Sequence, residues 1–344
     1  MTLALSRLHP GLVVYTSSSD ALTGAAAIVR RAPRLASPER GLIGHLARLA
    51  WCQAGLRLRL RRDRADVLLN TVPEGVLASA VPQVTVVHDV IPLMFPEVYP
   101  RQQWYFRRLV PRVLHRSAAI VADSEATVRD VHRFFGLDPR RIRVIPNGYD
   151  AERFTTEGPT IDDGGLPYVL WIGNALPHKN LPRLIRAFAL LTELPVRLVL
   201  AASGRASRVA ALVALAKENG ARVEVRPYIP EDELPAWYRG ARAVALPSLA
   251  EGFGLPALEA MACGTPVVAA NVSAIPEVVG SAALLVDPLD VAGMSEAIRR
   301  VVVDEPLWKD LRQRGLEQAT RFSWARSARQ ILDVLEEVGL RSPS

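Results

Sequence analysis

Two glutamates eight residues apart, Glu251 and Glu259, flank the turn Gly252, Phe253, Gly254, Leu255, Pro256 inside the segment ALPSLAEGFGLPALEAMACGTPVVAANVSAIP (245–276). The apolar run 242–246 before it reads as a buried strand, and Pro256 suits the first position of a helix reaching about residue 263. The first backbone N–H groups of such a helix have no partner within it and favour an anion such as a diphosphate. Glu251 then sits on the loop and Glu259 one turn inside the helix. One carboxylate can therefore face the sugar side of a bound phosphate while the other faces the nucleoside side. The two glycines let a ligand approach the backbone closely.

Two further side chains could take part. Lys179 follows an apolar strand, a Gly173–Asn174 turn and His178, at the start of the next helix. A cation is disfavoured at a helix N-terminus unless an anion is bound there, so Lys179 reads as a counter-charge to a diphosphate leaving group rather than a solvated residue. His88 ends the apolar strand 84–88, where a satisfied core or turn histidine is the bland alternative to a ligand contact. Asp89 reads as a cap of the following turn.

The elements that must position these residues follow from periodicity. Short β-branched runs alternate with helical patterns, the mark of parallel sheets flanked by helices, an α/β architecture. Strands are expected at 12–15, 67–69, 84–88, 119–122 and 143–145, then at 168–172, 197–201, 223–226, 243–246, 267–269 and 284–286. Between these groups the stretch 150–167, with Gly158, Pro159, Gly164 and Gly165 and little apolar content, reads as a linker. The expected division is one α/β domain at 1–150, a linker at 151–167, a second α/β domain at 168–322, and a C-terminal helix at 323–344. Two such domains are expected to bind ligand in a crevice at the carboxyl ends of their strands.

The chain has 344 residues, enough for two domains each burying its own core. Apolar residues make up 49% and charged residues 22%, as in soluble globular proteins. Cys52 and Cys263 are too few for a disulfide framework, and no metal-ligand spacing occurs, so no metal and no cofactor are expected. No apolar run reaches the roughly 18 residues of a membrane span. The first fifteen residues carry neither the charged start nor the cleavage site of a signal peptide, and the expected setting is the cytoplasm. The net charge of +7 is uneven: residues 1–150 hold 21 arginines and no lysine against 12 acidic residues, while 151–344 hold 21 basic against 23 acidic. The segment 101–116 (RQQWYFRRLVPRVLHR) interleaves Trp104, Tyr105 and Phe106 with five arginines. A solvated basic face is one reading. The other is peripheral contact with an anionic membrane surface, on its inner face, through Arg101, Trp104, Arg107, Arg108 and Arg112. No nucleic-acid-binding motif accompanies the arginines.

The E-x7-E block resembles the signature of retaining glycosyltransferases of the GT4 family, which have the GT-B fold of two Rossmann-like domains. The likeness extends from about residue 66 to 338. It includes VTVVHDVIPLMFPEVYP (84–100), AAIVADSEATVRDVHRFFGLDPRRIRVIPNGYDAERF (118–154), YVLWIGNALPHKNLPRLIRAF (168–188) and RFSWARSARQILDVLEEV (321–338). The resemblance implies that Glu259 binds the ribose hydroxyls and that Glu251 binds hydroxyls of the transferred sugar. It places the backbone of Gly252, Phe253, Gly254 and Leu255 on sugar and phosphate, and His88 beside the donor sugar. It also implies retention by same-face attack, the departing phosphate taking the acceptor's proton. The family often pairs the lysine with an arginine where this chain has Asn174, so Asn174 must donate neutral hydrogen bonds or Arg205 must reach in. No Asp-x-Asp offers to hold a metal against the diphosphate. The opening LALSRLHPGLVVYTSSS resembles the tail of the family's first helix and its second strand. The family's Gly-rich loop is absent: either the start is set too late or the first βα unit is missing, and a missing unit would expose a sheet edge and remove acceptor contacts.

The expected function is a retaining, metal-independent transfer of a hexose, mannose by slight preference, from a nucleotide-diphosphate sugar. The expected acceptor is a polysaccharide or lipid-linked glycan of the cell envelope. The alternatives are a non-catalytic GT-B scaffold that binds nucleotide-sugar, and a GT-B epimerase or phosphorylase.

Overall fold

The computed structural model describes residues 1–17, 26–37, 41–161 and 165–340. Residues 162–164 of the expected linker and 341–344 of the expected C-terminal segment lie outside the described residues. The chain divides into two compact units, Met1–Gly148 together with Trp324–Ser344, and Tyr149–Ser323.

The second unit is built on six parallel strands in the order Ala283–Val286, Val267–Ala270, Ala243–Leu246, Tyr168–Asn174, Arg197–Ser203, Val223–Arg226. The central strands are apolar along their middles because helices cover both faces of the sheet. Val169, Leu170, Trp171, Leu198, Leu200, Ala243 and Val244 are fully buried. The first strand of the unit, Tyr168–Asn174, lies between the second and the fourth, so the strand order reverses direction between Tyr168–Asn174 and Ala243–Leu246. Loops leave that switch point in opposite directions, and the carboxyl ends there are the natural place for a ligand. Residues 149–161 are tied into this unit. Phe154 lies in its core, Ile161 N donates to Ala236 O at 3.1 Å, and Arg239 donates to the carbonyls of Thr155 and Pro159.

The first unit has a four-stranded parallel sheet, Leu68–Asn70, Gln83–Val87, Ala119–Ala122 and Ile142–Val144, and a separate parallel pair, Val13–Thr16 with Ile28–Arg31. The strand Ile28–Arg31 escaped the periodicity because its sequence, IVRR, is exposed at every position and does not alternate. Among the described residues no strand joins the two sheets. Val13–Thr16 and Leu68–Asn70, each an edge, line one cavity of about 1010 Å³ together with Leu56, Leu60, Leu332 and Leu335.

The helix Trp324–Leu340 packs Ala328, Ile331, Leu332, Leu335 and Val338, one helical stripe, on Val84, Val86 and Val121 of the four-stranded sheet. It is pinned by Ser327 Oγ donating to Pro146 O at 2.5 Å and by Arg143 donating to Glu337. In the basic segment 101–116, Tyr105 and Phe106 are buried in the core of the first unit, whereas Trp104 is 63% exposed. Arg101, Arg107, Arg108 and Arg112 are exposed. Among the described residues no helix is long and apolar enough to cross a membrane.

Candidate functional site

At the switch point of the second unit, two of the sequence-predicted residues meet. Lys179 Nζ donates to Glu251 Oε1 at 2.6 Å, and Ser248 Oγ donates to the same oxygen at 2.7 Å. The pair is 72 residues apart in the chain and mostly buried, the side chains being 21% and 13% exposed. Both of these contacts are to Oε1, and no hydrogen bond to Oε2 of Glu251 is seen among the described residues.

Lys179 reaches this place because of its neighbour. It ends the 3₁₀ turn Pro177–Lys179, not the helix proper, and Asn180 follows in a left-handed conformation with φ 61°. Asparagine tolerates that conformation. Its buried amide donates to Pro247 O at 2.9 Å and Pro288 O at 2.7 Å and accepts from Arg183. Leu249 N donates to His178 O at 2.7 Å. The turn carrying Lys179 is thus laced to the loop carrying Ser248 and Glu251. His178 itself is buried, and burial, followed by the charge of Lys179, pushes its imidazole down to about 4. It is neutral and adds no charge to the site.

After Glu251 the chain turns into the helix Leu255–Ala262, with Pro256 in its first turn. Gly254 precedes the helix at φ 106°, and a side chain there would strike Ile275 Cδ1 at 2.6 Å. Phe253 points into the core, its ring 5.7 Å from that of Phe322. The Phe253 ring therefore anchors the loop, and what 252–255 offers a ligand is backbone.

Glu259, inside that helix, accepts from Tyr238 OH at 2.9 Å. Burial pushes its carboxyl up to about 7, against the pull of the Tyr238 hydrogen bond and the Arg153 charge. Tyr238 is fully buried, and its phenol is raised well above the ordinary range by burial and then by the Glu259 charge. Arg153 stacks on Phe154 at 5.0 Å, and the Phe154 and Tyr238 rings are 6.0 Å apart. Asn174 is exposed at the end of its strand, its Oδ1 3.1 Å from where a side chain on Gly204 would begin.

His88 belongs to the first unit and follows the strand Gln83–Val87 directly. Its Nδ1 donates to Asp123 Oδ2 at 2.7 Å and its Nε2 to Thr71 O at 2.9 Å. Both partners are acceptors, so only the doubly protonated ring satisfies both. Its pKa is raised accordingly, chiefly by the Asp123 hydrogen bond against the cost of burial. Asn147 Nδ2 donates to the same Asp123 oxygen at 2.8 Å. Asp89 caps the next turn through Ile91 N at 2.9 Å.

Sequence reasoning passed over Asp123, Asn147, Tyr238, Ser248 and Ser273. Asp123 and Asn147 lay within a segment already singled out, but nothing local tied them to His88. Tyr238 in LPAWYRG reads as a core aromatic. Among the described residues no group of three His, Cys, Asp or Glu side chains converges as a metal ion would need.

Two family models cover most of the chain: "Glycosyl transferases group 1" matches residues 157–318 and "Glycosyltransferase Family 4" matches residues 2–153. The O-antigen chain mannosyltransferase B of Escherichia coli is 32% identical over 321 residues, covering 89% of this chain and 81% of that protein. D-inositol 3-phosphate glycosyltransferase of Xylanimonas cellulosilytica is 36% identical over 251 residues, 68% of this chain and 60% of that one. Against the serotype-specific mannosyltransferase WbdA of Escherichia coli, 31% identical over 266 residues, the match takes in 71% of this chain but spans about a third of the relative's length. Among solved structures, Anabaena Alr3699/HepE in complex with UDP and glucose superposes with a TM-score of 0.76 at 20% identity, covering 97% of this chain and 94% of that one. WaaG, a glycosyltransferase involved in lipopolysaccharide biosynthesis, gives a TM-score of 0.73 at 17% identity, covering 97% and 93%. These likenesses establish the GT-B fold.

Proposed function

Because the chain belongs to glycosyltransferase family 4, we propose that it transfers a hexose, mannose by preference, from a nucleotide-diphosphate sugar to a polysaccharide or lipid-linked glycan of the cell envelope. Transfer proceeds with retention and without a metal ion. The observation that carries this reading is the Lys179–Glu251–Ser248 cluster beside the backbone turn 252–255, at the strand switch point of the second unit. The mannose preference is supported by the mannosyltransferase names of two relatives, and the nucleotide-sugar by the UDP and glucose held by HepE.

In this mechanism the ammonium of Lys179 and the N–H groups at the start of the helix Leu255–Ala262 take the diphosphate charge as it develops. Asn174 adds a neutral donor. Glu251 accepts from hydroxyls of the transferred sugar through Oε2, and Glu259 accepts from the ribose. His88, which the family resemblance sets beside the sugar, has given both ring nitrogens to Asp123 and the Thr71 carbonyl, so it orients the sugar by charge and shape and not by a hydrogen bond of its own. The bond from C1 to the leaving phosphate oxygen breaks, and C1 bonds the acceptor oxygen on the same face. The acceptor's proton passes to the departing phosphate. The protein acts in the cytoplasm, with peripheral contact to anionic lipid through Arg101, Trp104, Arg107, Arg108 and Arg112. All five are exposed, and Arg101, Trp104, Arg108 and Arg112 recur at helical spacing.

The test is transfer in EDTA from GDP-mannose, UDP-glucose and ADP-glucose to an envelope glycan acceptor, with the anomeric configuration of the product read by NMR. A retained glycoside from one donor supports the reading. An inverted linkage, or transfer that needs a divalent ion, defeats it.

A further inference from the structure

Three non-glycine residues among those described have positive φ, and one of them, Ser273 at φ 58°, lies in the turn between the strand Val267–Ala270 and the helix Ile275–Val279. An L side chain is disfavoured there and persists where its surroundings hold it. What holds Ser273 is the backbone of Glu251. The hydroxyl accepts from Glu251 N at 3.2 Å and donates to Glu251 O at 2.7 Å. Two residues on, Ile275 Cδ1 fills the space that a side chain on Gly254 would need. One turn therefore braces both ends of the loop that starts at Glu251 and ends at Gly254.

The carboxylate of Glu251 is aimed by Lys179 and Ser248 acting on Oε1. Those two contacts act on the side chain, whereas the Ser273 hydroxyl holds the main chain that carries it. We propose that Ser273 is a positioning residue for the transferred sugar, fixing the main chain of Glu251 so that Oε2 is presented to the sugar hydroxyls. The proposal rests on the role given to Glu251 under the proposed function.

A purely structural brace and a positioning residue predict different outcomes for Ser273→Gly. Glycine adopts positive φ freely, so the variant keeps the turn, relieves the side chain and loses only the hydroxyl. Its melting temperature is expected to equal or exceed the wild-type value. Affinity for the free nucleoside diphosphate is expected to stay within about twofold, while kcat/KM for the sugar donor falls about five- to tenfold, the loss of one net hydrogen bond. Ser273→Ala should show the same kinetic loss with a lower melting temperature, because its Cβ keeps the strain. In a Glu251→Gln background, Ser273→Gly should change kcat/KM less than twofold, since the group it positions has gone.

The measurements are calorimetric affinities and initial rates with whichever of GDP-mannose, UDP-glucose and ADP-glucose the wild type uses, and with the matching free diphosphate. Wild-type transfer by Ser273→Gly, an equal loss of affinity for diphosphate and sugar donor, or full multiplication of the Ser273→Gly and Glu251→Gln effects would each overturn the proposal. Unimpaired transfer by Glu251→Gln would instead remove the role assigned to Glu251, and the proposal with it.

Discussion

The charged groups at the strand ends of the two units are wired in opposite senses. In the first unit His88 is held by its own neighbours, which favour its charged form: Asp123 and the Thr71 carbonyl occupy both ring nitrogens, and Asn147 holds the Asp123 carboxylate from the other side. In the second unit Lys179 and Glu251 neutralise each other across a 2.6 Å contact, and burial biases Glu259 towards its neutral form. The first arrangement is complete without a ligand. The second is a set of charges whose partners are one another until a diphosphate and a sugar compete for them. The difference teaches where binding energy should enter: a ligand of the second unit must share or open an existing pair, and ligand affinity there should be coupled between residues that touch different parts of the donor.

Lys179→Ala is the most damaging test of that view. It removes the cation from the diphosphate and leaves Glu251 largely buried without its counter-ion. Affinity for the nucleoside diphosphate should fall about 100-fold, close to 2.7 kcal/mol, as for a charge-assisted contact. The coupling is then read from a double-mutant cycle. Lys179→Ala with Glu251→Gln should be less damaging than the two separate losses combined, by about 1–2 kcal/mol, because the second change relieves the orphaned carboxylate that the first creates. Calorimetric titration of all four proteins decides it. Simple additivity would mean that the 2.6 Å contact is energetically idle.

The paired histidine of the first unit predicts a different signature. His88→Ala should lower turnover about 30-fold, near 2 kcal/mol, and leave nucleoside diphosphate affinity within twofold. Its wiring also has a pH consequence. The folded pKa of His88 is raised above the ordinary 6.5, so the stability it lends is fully present below about 6.5 and is lost as pH rises through the folded value. Asp123→Asn should therefore cost more in melting temperature at pH 6 than at pH 9. An equal cost at both would show that Asp123 matters to the fold through its other contacts and not through the imidazolium.

Glu259 gives the same sign for a different reason, burial instead of a hydrogen-bonded partner. Its folded pKa near 7 lies above the ordinary carboxyl value of 4.5, so the folded state binds the proton more tightly than the unfolded chain. The group favours folding most at low pH, and that advantage declines between about 4.5 and 7. Ribose hydroxyls donate to the ionised carboxylate, so nucleotide binding should strengthen as stability from this group weakens. With a pKa near 7 the ionised fraction rises about tenfold between pH 6 and pH 8, and affinity should follow. Glu259→Gln should bind about tenfold more weakly at pH 8 and show a flat profile. A flat profile in the wild type would place the ribose elsewhere.

The two units also differ in how far their design could be read from sequence. In the second unit every expected strand is present, because five of its strands are mainly apolar runs and the edge strand Val223–Arg226, VEVR, alternates, and the E-x7-E spacing puts Glu251 before the helix and Glu259 within it. In the first unit the strand Ile28–Arg31, exposed at each residue, carried no pattern to find. The site itself was legible as a roster but not as a circuit. Lys179 and Glu251 were singled out separately, each for a ligand, and their mutual contact across 72 residues has no local signal. Tyr238 is indistinguishable from a core aromatic until its hydroxyl is seen 2.9 Å from Glu259. Ser273 announces itself only through a positive φ. Asp123 follows a buried strand, and its pairing with His88 depends on two parallel strands lying side by side, with Val87 in register with Ala122.

The smallest expected effect compares the surfaces of the units. Each presents one largely exposed aromatic, Trp104 at 63% in the first and Tyr228 at 69% in the second. Trp104 stands among Arg101, Arg107, Arg108 and Arg112, while its sequence neighbours Tyr105 and Phe106 are committed to the core. A single indole can enter the interface of a bilayer, so attraction must come mainly from the arginines, at about 1 kcal/mol each near an anionic surface. Association with vesicles of phosphatidylglycerol and phosphatidylcholine is therefore expected in dilute salt and should largely vanish near 1 M, where the screening length is about 3 Å. Trp104→Ala should lower the bound fraction about threefold by sedimentation, and Tyr228→Ala should leave it unchanged. An equal response to both substitutions would erase the distinction between the surfaces. Indifference of the wild type to anionic vesicles at low salt would return the arginines of 101–112 to a solvated face whose apolar side merely completes the core.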